Sequence, residues 1–171
     1  RDQINILIEG IHNVLNEFNE QNDRHVQFGI SPTGIYKNGN GIVTYDENGN
    51  PITTGSATNG QSHYASYLFA DTLKWAQEGW IDYLLPQSYW AISHGVAGYK
   101  SVMGWWNEAF KYLDVNLYSG IGLYLANDGE AYSWYTDNQE FVKQMDYLRT
   151  LDSADGLSIY HFNAVKDAYT N

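Results

Sequence analysis

The sequence predicts an α/β domain built on a parallel sheet. Short apolar runs that read as strands alternate with longer stretches of helical periodicity, and the strands are joined by helix-length connections rather than tight turns. Strands joined in that way pair in parallel through right-handed crossovers. A doubly wound open sheet and part of a (β/α)8 barrel both satisfy the pattern.

The elements follow in order. Residues 2–22 set Ile4, Leu7, Ile8, Ile11, Val14, Leu15 and Phe18 at helical spacing, with Asp2 as a capping residue type. "VQFGISP" (26–32) reads as a short strand closing on a proline. In the polar stretch after it, "GIVTYDENGNPITTG" predicts a hairpin turning at Asn48-Gly49. "SHYASYLFADTLKWAQEG" (62–79) returns to helix and stops at Gly79, a residue suited to the position after a helix. Ile81 to Leu85 form the second strand. "AGYKSVMGWWNEAFKYL" (97–113) sets Tyr99, Val102, Met103, Trp106, Phe110 and Leu113 on one helix face, and "LYSGIGLYLA" (117–126) is the third strand. Thr136 heads a helix to about Leu151, with Gln139 three residues on as in a capping box and Phe141, Met145 and Leu148 as its stripe. "GLSIYHF" (156–162) is the fourth strand, and "NAVKDAYTN" is a tail or the start of a last helix.

Composition narrows the class. The 171 residues are 43% hydrophobic and 17% charged, with no second composition regime or linker, so residues 1–171 read as one domain or part of one. Nine basic residues against 20 acidic ones give a net charge of −11, a field that repels nucleic acid and anionic membrane surfaces. No apolar run is long enough to span a bilayer. Zero cysteines exclude disulfides, thiol catalysis and cysteine zinc sites. The opening "RDQINILIEG" already lies inside an amphipathic pattern, so the chain is expected to begin mid-domain, with any export signal upstream. The zero cysteines do not reveal the compartment, although a Cys-free, acidic, Asn- and Tyr-rich chain fits an exported protein.

In parallel α/β architectures ligands meet the C-terminal ends of the strands. In "QEGWIDYLLPQSYW" (77–90) an apolar strand runs into Pro86, Gln87, Ser88, Tyr89 and Trp90. The other strand ends offer Ser31 with Pro32, Tyr124 with Asn127, and His161 with Asn163. Aromatic and neutral hydrogen-bonding groups of this kind suit sugars, whose C–H faces lie on rings while amides and hydroxyls take up their hydroxyl groups. Tyr89 and Trp90 are equally the kind of residue that caps a core.

No carboxylate stands at any of these four tips, although glycoside hydrolysis usually needs two facing each other across the bond. Asp82 is at the beginning of its strand and reads as a structural partner. Asp128 and Glu130 fall in "NDGE", which reads first as a solvated turn. Asp46, Asn48 and Asn50 imitate a calcium loop, but Pro51 takes the glycine position and no glutamate closes it. The five histidines lack metal-ligand spacing, so neither a metal nor a cofactor is expected.

"FGISPTGIY" followed by "YLFADTLKWAQEGWIDYLLPQSYW" resembles the glycosyl hydrolase-like family 10 domain of bacterial envelope proteins, and "GIGLYLA" and "GLSIYHFNAV" are similar to its last two strands. The resemblance implies a (β/α)8 barrel of glycosidase type acting on bacterial cell-wall glycan. This chain would hold about strands 5–8, the C-terminal portion, with a β-hairpin insertion after the first strand. The family's acidic strand-end motif would fall upstream of residue 1. On that reading Ser31, Gln87, Tyr89, Trp90, Tyr124 and His161 form a substrate-facing rim, with Trp90 as one wall. The partner is a polysaccharide or peptidoglycan glycan. The chain itself would be inactive alone and would pair with a second copy or with the missing half-barrel. A non-catalytic glycan-binding or scaffold protein of the envelope is the competing expectation.

Overall fold

The computed structural model describes residues 1–65, 68–127, 137 and 139–170. The elements in chain order are α1 (Asp2–Asn22), β1 (Gly29–Ile30), β2 (Val43–Tyr45), β3 (Pro51–Thr53), α2 (Thr72–Gln77), β4 (Tyr83–Leu84), α3 (Tyr99–Phe110), β5 (Asn116–Ile121), a 3-10 turn (Leu123–Asn127), α4 (Glu140–Leu148), β6 (Gly156–Ile159) and α5 (Phe162–Thr170). Strands β1, β4, β5 and β6 form one sheet in that order, parallel throughout. The order follows the chain without a reversal, whereas a doubly wound sheet contains one at its switch point. The α/β class with a parallel sheet is therefore what the sequence led us to expect.

The strands are shorter than the apolar runs that predict them, because pairing continues as isolated backbone bonds past their ends. The amides of Asp82, Leu85 and Gln87 donate to the carbonyls of Phe28, Ile30 and Pro32, so the β1–β4 ladder spans the whole of "FGISP". At the opposite end, Asp82 accepts from the amide of Phe28 and Asp155 from that of Leu117. Each carboxylate pins the start of the preceding strand, which fixes register at the face of the sheet away from the expected site.

Helix α3 covers the sheet. Its residues Tyr99, Val102, Met103, Trp105, Trp106, Ala109 and Phe110 are buried over Leu84, Leu117 and Ile121. Leu113, assigned to the same helix by the sequence, lies just beyond its end and is partly buried. The indole of Trp106 donates to the carbonyl of Gly34, and the hydroxyl of Tyr99 bonds Ser119 at 2.9 Å.

The helix expected over 62–79 is confined to Thr72–Gln77. The residues before it are consumed by another network. His63 and Tyr64 donate their amides to Ile35 and Tyr36, and the His63 ring lies between Thr33 and Thr72, 3.0 Å from the Thr33 carbonyl and 2.8 Å from Thr72 Oγ1. Phe69 then adopts a left-handed backbone (φ 47°), which a helix interior does not accommodate. The stop at Gly79 is as expected, with φ 68°.

The antiparallel β2–β3 pair turns at Asn48-Gly49, with Asp46 accepting from the amides of Asn48 and Asn50. It lies on α3, where Tyr45 donates to the Glu108 carbonyl and Trp105 donates to Thr53 Oγ1. Helix α1 buries Ile8, while Leu7 (60% exposed), Val14 (66%) and Phe18 (46%) remain in the open. The third predicted strand ends at Ile121 and gives way to the 3-10 turn, and the chain's tail is the helix α5. Thr136, the expected cap of α4, lies outside the described residues, as do Asp128 and Glu130.

Candidate functional site

Side chains alternate along a strand, so two faces can be read from β4 onward. Leu84, Pro86 and Ser88 are buried toward the helices, and the Ser88 hydroxyl contacts Met103 Sδ at 3.1 Å. Tyr83, Leu85, Gln87 and Tyr89 point the other way and are half-buried. Together with Gly29 of β1 and Ser31 just after it, Gly120 of β5, Ser158 of β6 and Tyr160 just beyond it, they line a cavity of about 560 Å³.

Glycines create this space. A Cβ on Gly29 would fall within 2.4 Å of the Tyr83 ring, and one on Gly122 would meet Tyr89 Cγ at 2.9 Å. Gln87 and Gly120 are bridged across β4 and β5, and Gly120 pairs with Ser158, so these three form one level. Gln87 Nε2 donates to the Ser31 carbonyl at 3.1 Å and to its hydroxyl at 3.3 Å. One level higher, toward the strand ends, the rings of Tyr89 and Tyr160 stack across Gly122 with centroids 6.0 Å apart. Tyr124 stands edge-on to both, at 6.2 Å and 5.8 Å. His161 is exposed and stacks on Tyr124 at 6.4 Å.

The structure thus gathers Ser31, Gln87 and Tyr89 on the cavity and sets Tyr124 and His161 at its rim. Trp90 has the opposite parity. Its ring lies where a Cβ on Gly34 would meet it at 2.7 Å, and 6.3 Å from His94, away from the cavity lining. Sequence reasoning missed Tyr160 and Ser158, which share a face in "GLSIYHF". The polar His161 drew attention to the other phase of that alternation, and nothing local fixes the phase until Gly120 is paired with Ser158.

Among the described residues the cavity lining carries no charged side chain. The Tyr89 hydroxyl is pushed above the ordinary phenol range, first by burial and then by Tyr124 and Tyr160 beside it, so it stays protonated and can both donate and accept. Such a surface offers ring faces to C–H groups and neutral donors and acceptors to hydroxyls. Among the described residues no group of His, Asp or Glu is arranged to hold a metal ion.

The chain is 34% identical over 171 residues to the glycosyl hydrolase YngK of Bacillus subtilis (strain 168), covering all of the chain and 30% of that protein. It is 30% identical over 139 residues to the glycosyl hydrolase DigH of Escherichia coli (strain K12), covering 79% of the chain and 29% of that protein. The chain therefore spans under a third of the length of these relatives. Residues 1–139 match the family described as glycosyl hydrolase-like 10, and the chain belongs to that family.

Proposed function

We propose that this chain supplies the glycan-binding side of a glycoside hydrolase acting on bacterial cell-wall glycan or a related polysaccharide. The observation that carries the proposal is the Tyr89–Tyr160 stack above Gln87, Ser31 and Ser158, at the strand ends where parallel α/β enzymes bind ligands. Family membership supports the reaction class. The four parallel strands in chain order support a reading as about strands 5–8 of a (β/α)8 barrel, with β2–β3 as an insertion after the first.

A pair of carboxyl groups is required for this chemistry, and among the described residues the cavity lining has none. The acids would come from chain outside residues 1–171, on strands that close the barrel. The open edges of β1 and β6 and the exposed Leu7, Val14 and Phe18 of α1 are the surfaces such a half-barrel, or a second copy, would cover. Cell-wall glycan implies an extracellular or envelope location.

The uncharged lining among the described residues also favours a second reading, a glycan-binding envelope protein without catalysis. The experiment is incubation of the protein at its natural full length with purified peptidoglycan glycan strands. The proposal expects chain-shortening products by mass spectrometry, reduced by Tyr160→Ala. Binding without products would establish the second reading instead.

A further inference from the structure

Helix α4 buries a stripe of Glu140, Gln144 and Leu148, spaced one turn apart. Two of the three are polar, and both are almost fully enclosed, with Glu140 3% exposed and Gln144 0%. A buried carboxylate costs stability unless donors surround it. Glu140 Oε1 receives two, the amide of Ile92 at 2.7 Å and Gln144 Nε2 at 2.8 Å. The same Gln144 nitrogen donates to the carbonyl of Trp90 at 3.1 Å.

The pair therefore grips the main chain on both sides of Ala91, which is itself 1% exposed. Those are the residues that directly follow Tyr89. Among the described residues Gln144 Oε1 is left buried without a partner. A leucine at 144 would fill the stripe with no orphan acceptor, so packing of α4 alone does not account for these residues.

We propose that Glu140 and Gln144 are positioning residues for the glycan site, fixing the backbone at Trp90 and Ile92 so that Tyr89 stays opposite Tyr160. The claim rests on the glycan-site reading, and its mechanism is separate. The carboxylate oxygen and the amide nitrogen hold the first loop segment beyond β4, and the tyrosine platform inherits that order.

The test uses the natural full-length protein carrying Glu140→Leu, Glu140→Gln, Gln144→Met or Tyr89→Ala. Affinity for soluble peptidoglycan glycan strands is measured by calorimetry, and hydrogen exchange is followed at the Ile92 amide. Glu140→Leu should weaken binding about tenfold and speed Ile92 exchange by a similar factor. Glu140→Gln keeps an acceptor oxygen and should stay within about twofold on both. Gln144→Met, which removes the Trp90 donor, should weaken binding and carries the test if the leucine variant does not fold. Unchanged affinity in Glu140→Leu or Gln144→Met, where Tyr89→Ala lowers it, overturns the proposal. So does a glutamine variant as impaired as the leucine one. If Tyr89→Ala leaves affinity unchanged, the glycan-site reading fails by itself. Ile92 exchange then still decides whether Glu140 orders the loop.

Discussion

Tyr89 and Tyr160 face each other across Gly122, their ring centroids 6.0 Å apart and their planes 20° from parallel. Tyr89 follows β4 and Tyr160 lies just beyond β6, strands that are not neighbours, and Gly122, just beyond β5, carries no side chain to crowd Tyr89. A methyl there would press on Tyr89 Cγ and Cβ, atoms near the backbone that cannot swing aside cheaply. Gly122→Ala should therefore weaken glycan binding by about 1–3 kcal/mol, the scale of losing one aromatic platform. Calorimetry on the full-length protein checks this, and the crowding at Tyr89 should also lower stability by about 1–3 kcal/mol.

The tryptophans should divide by role. Trp106 is fully buried and donates to Gly34, so Trp106→Ala should cost about 3–5 kcal/mol of stability. Trp75, 3% exposed and bonded to Asn5 of α1, should behave alike. For Trp90 the placement against Gly34 and His94 predicts that truncation lowers the melting temperature more than the affinity. Loss of affinity with an unchanged melt would make Trp90 a wall of the site, as its position in "PQSYW" suggests.

Much of this was legible in the sequence because strands and helices leave different periods. The α/β class, the hairpin at Asn48-Gly49 and the buried face of α3 follow from local spacing, and the strand-end positions of Ser31, Gln87 and Tyr89 bring them to one cavity. The helix before Thr72 was misread because the tertiary bonds of His63 override helical periodicity there. Of the stripe expected for α4, Leu148 is buried and Phe141 and Met145 pack partly buried against the core. Glu140 and Gln144 are buried beside it, since their value lies in the backbone of a loop some 50 residues away, which no periodicity encodes.

His63 should make the fold sensitive to acid. Burial lowers its pKa from the ordinary 6.5 to about 4, so the folded chain keeps the ring neutral where the unfolded chain takes up a proton. That stability is fully present above pH 6.5 and is lost as pH falls from about 6.5 toward 4. The loss should be about 3 kcal/mol in all. Denaturant titrations at pH 7 and pH 4 check this, with a His63→Gln variant losing most of the difference.

Assembly offers another check. A chain of residues 1–171 presents two open parallel edges and the apolar face of α1 to water. Native mass spectrometry at micromolar concentration should find it paired with itself. A stable monomer that unfolds cooperatively would mean that the edges and α1 are tolerated as they stand.

The most direct measurement compares turnover of purified peptidoglycan glycan strands by the natural full-length protein and by residues 1–171 alone. If this chain supplies the binding side and the acids lie elsewhere, the full-length protein releases shortened glycans and residues 1–171 release none. Products from residues 1–171 alone would contradict the account, and would place a catalytic acid within this chain.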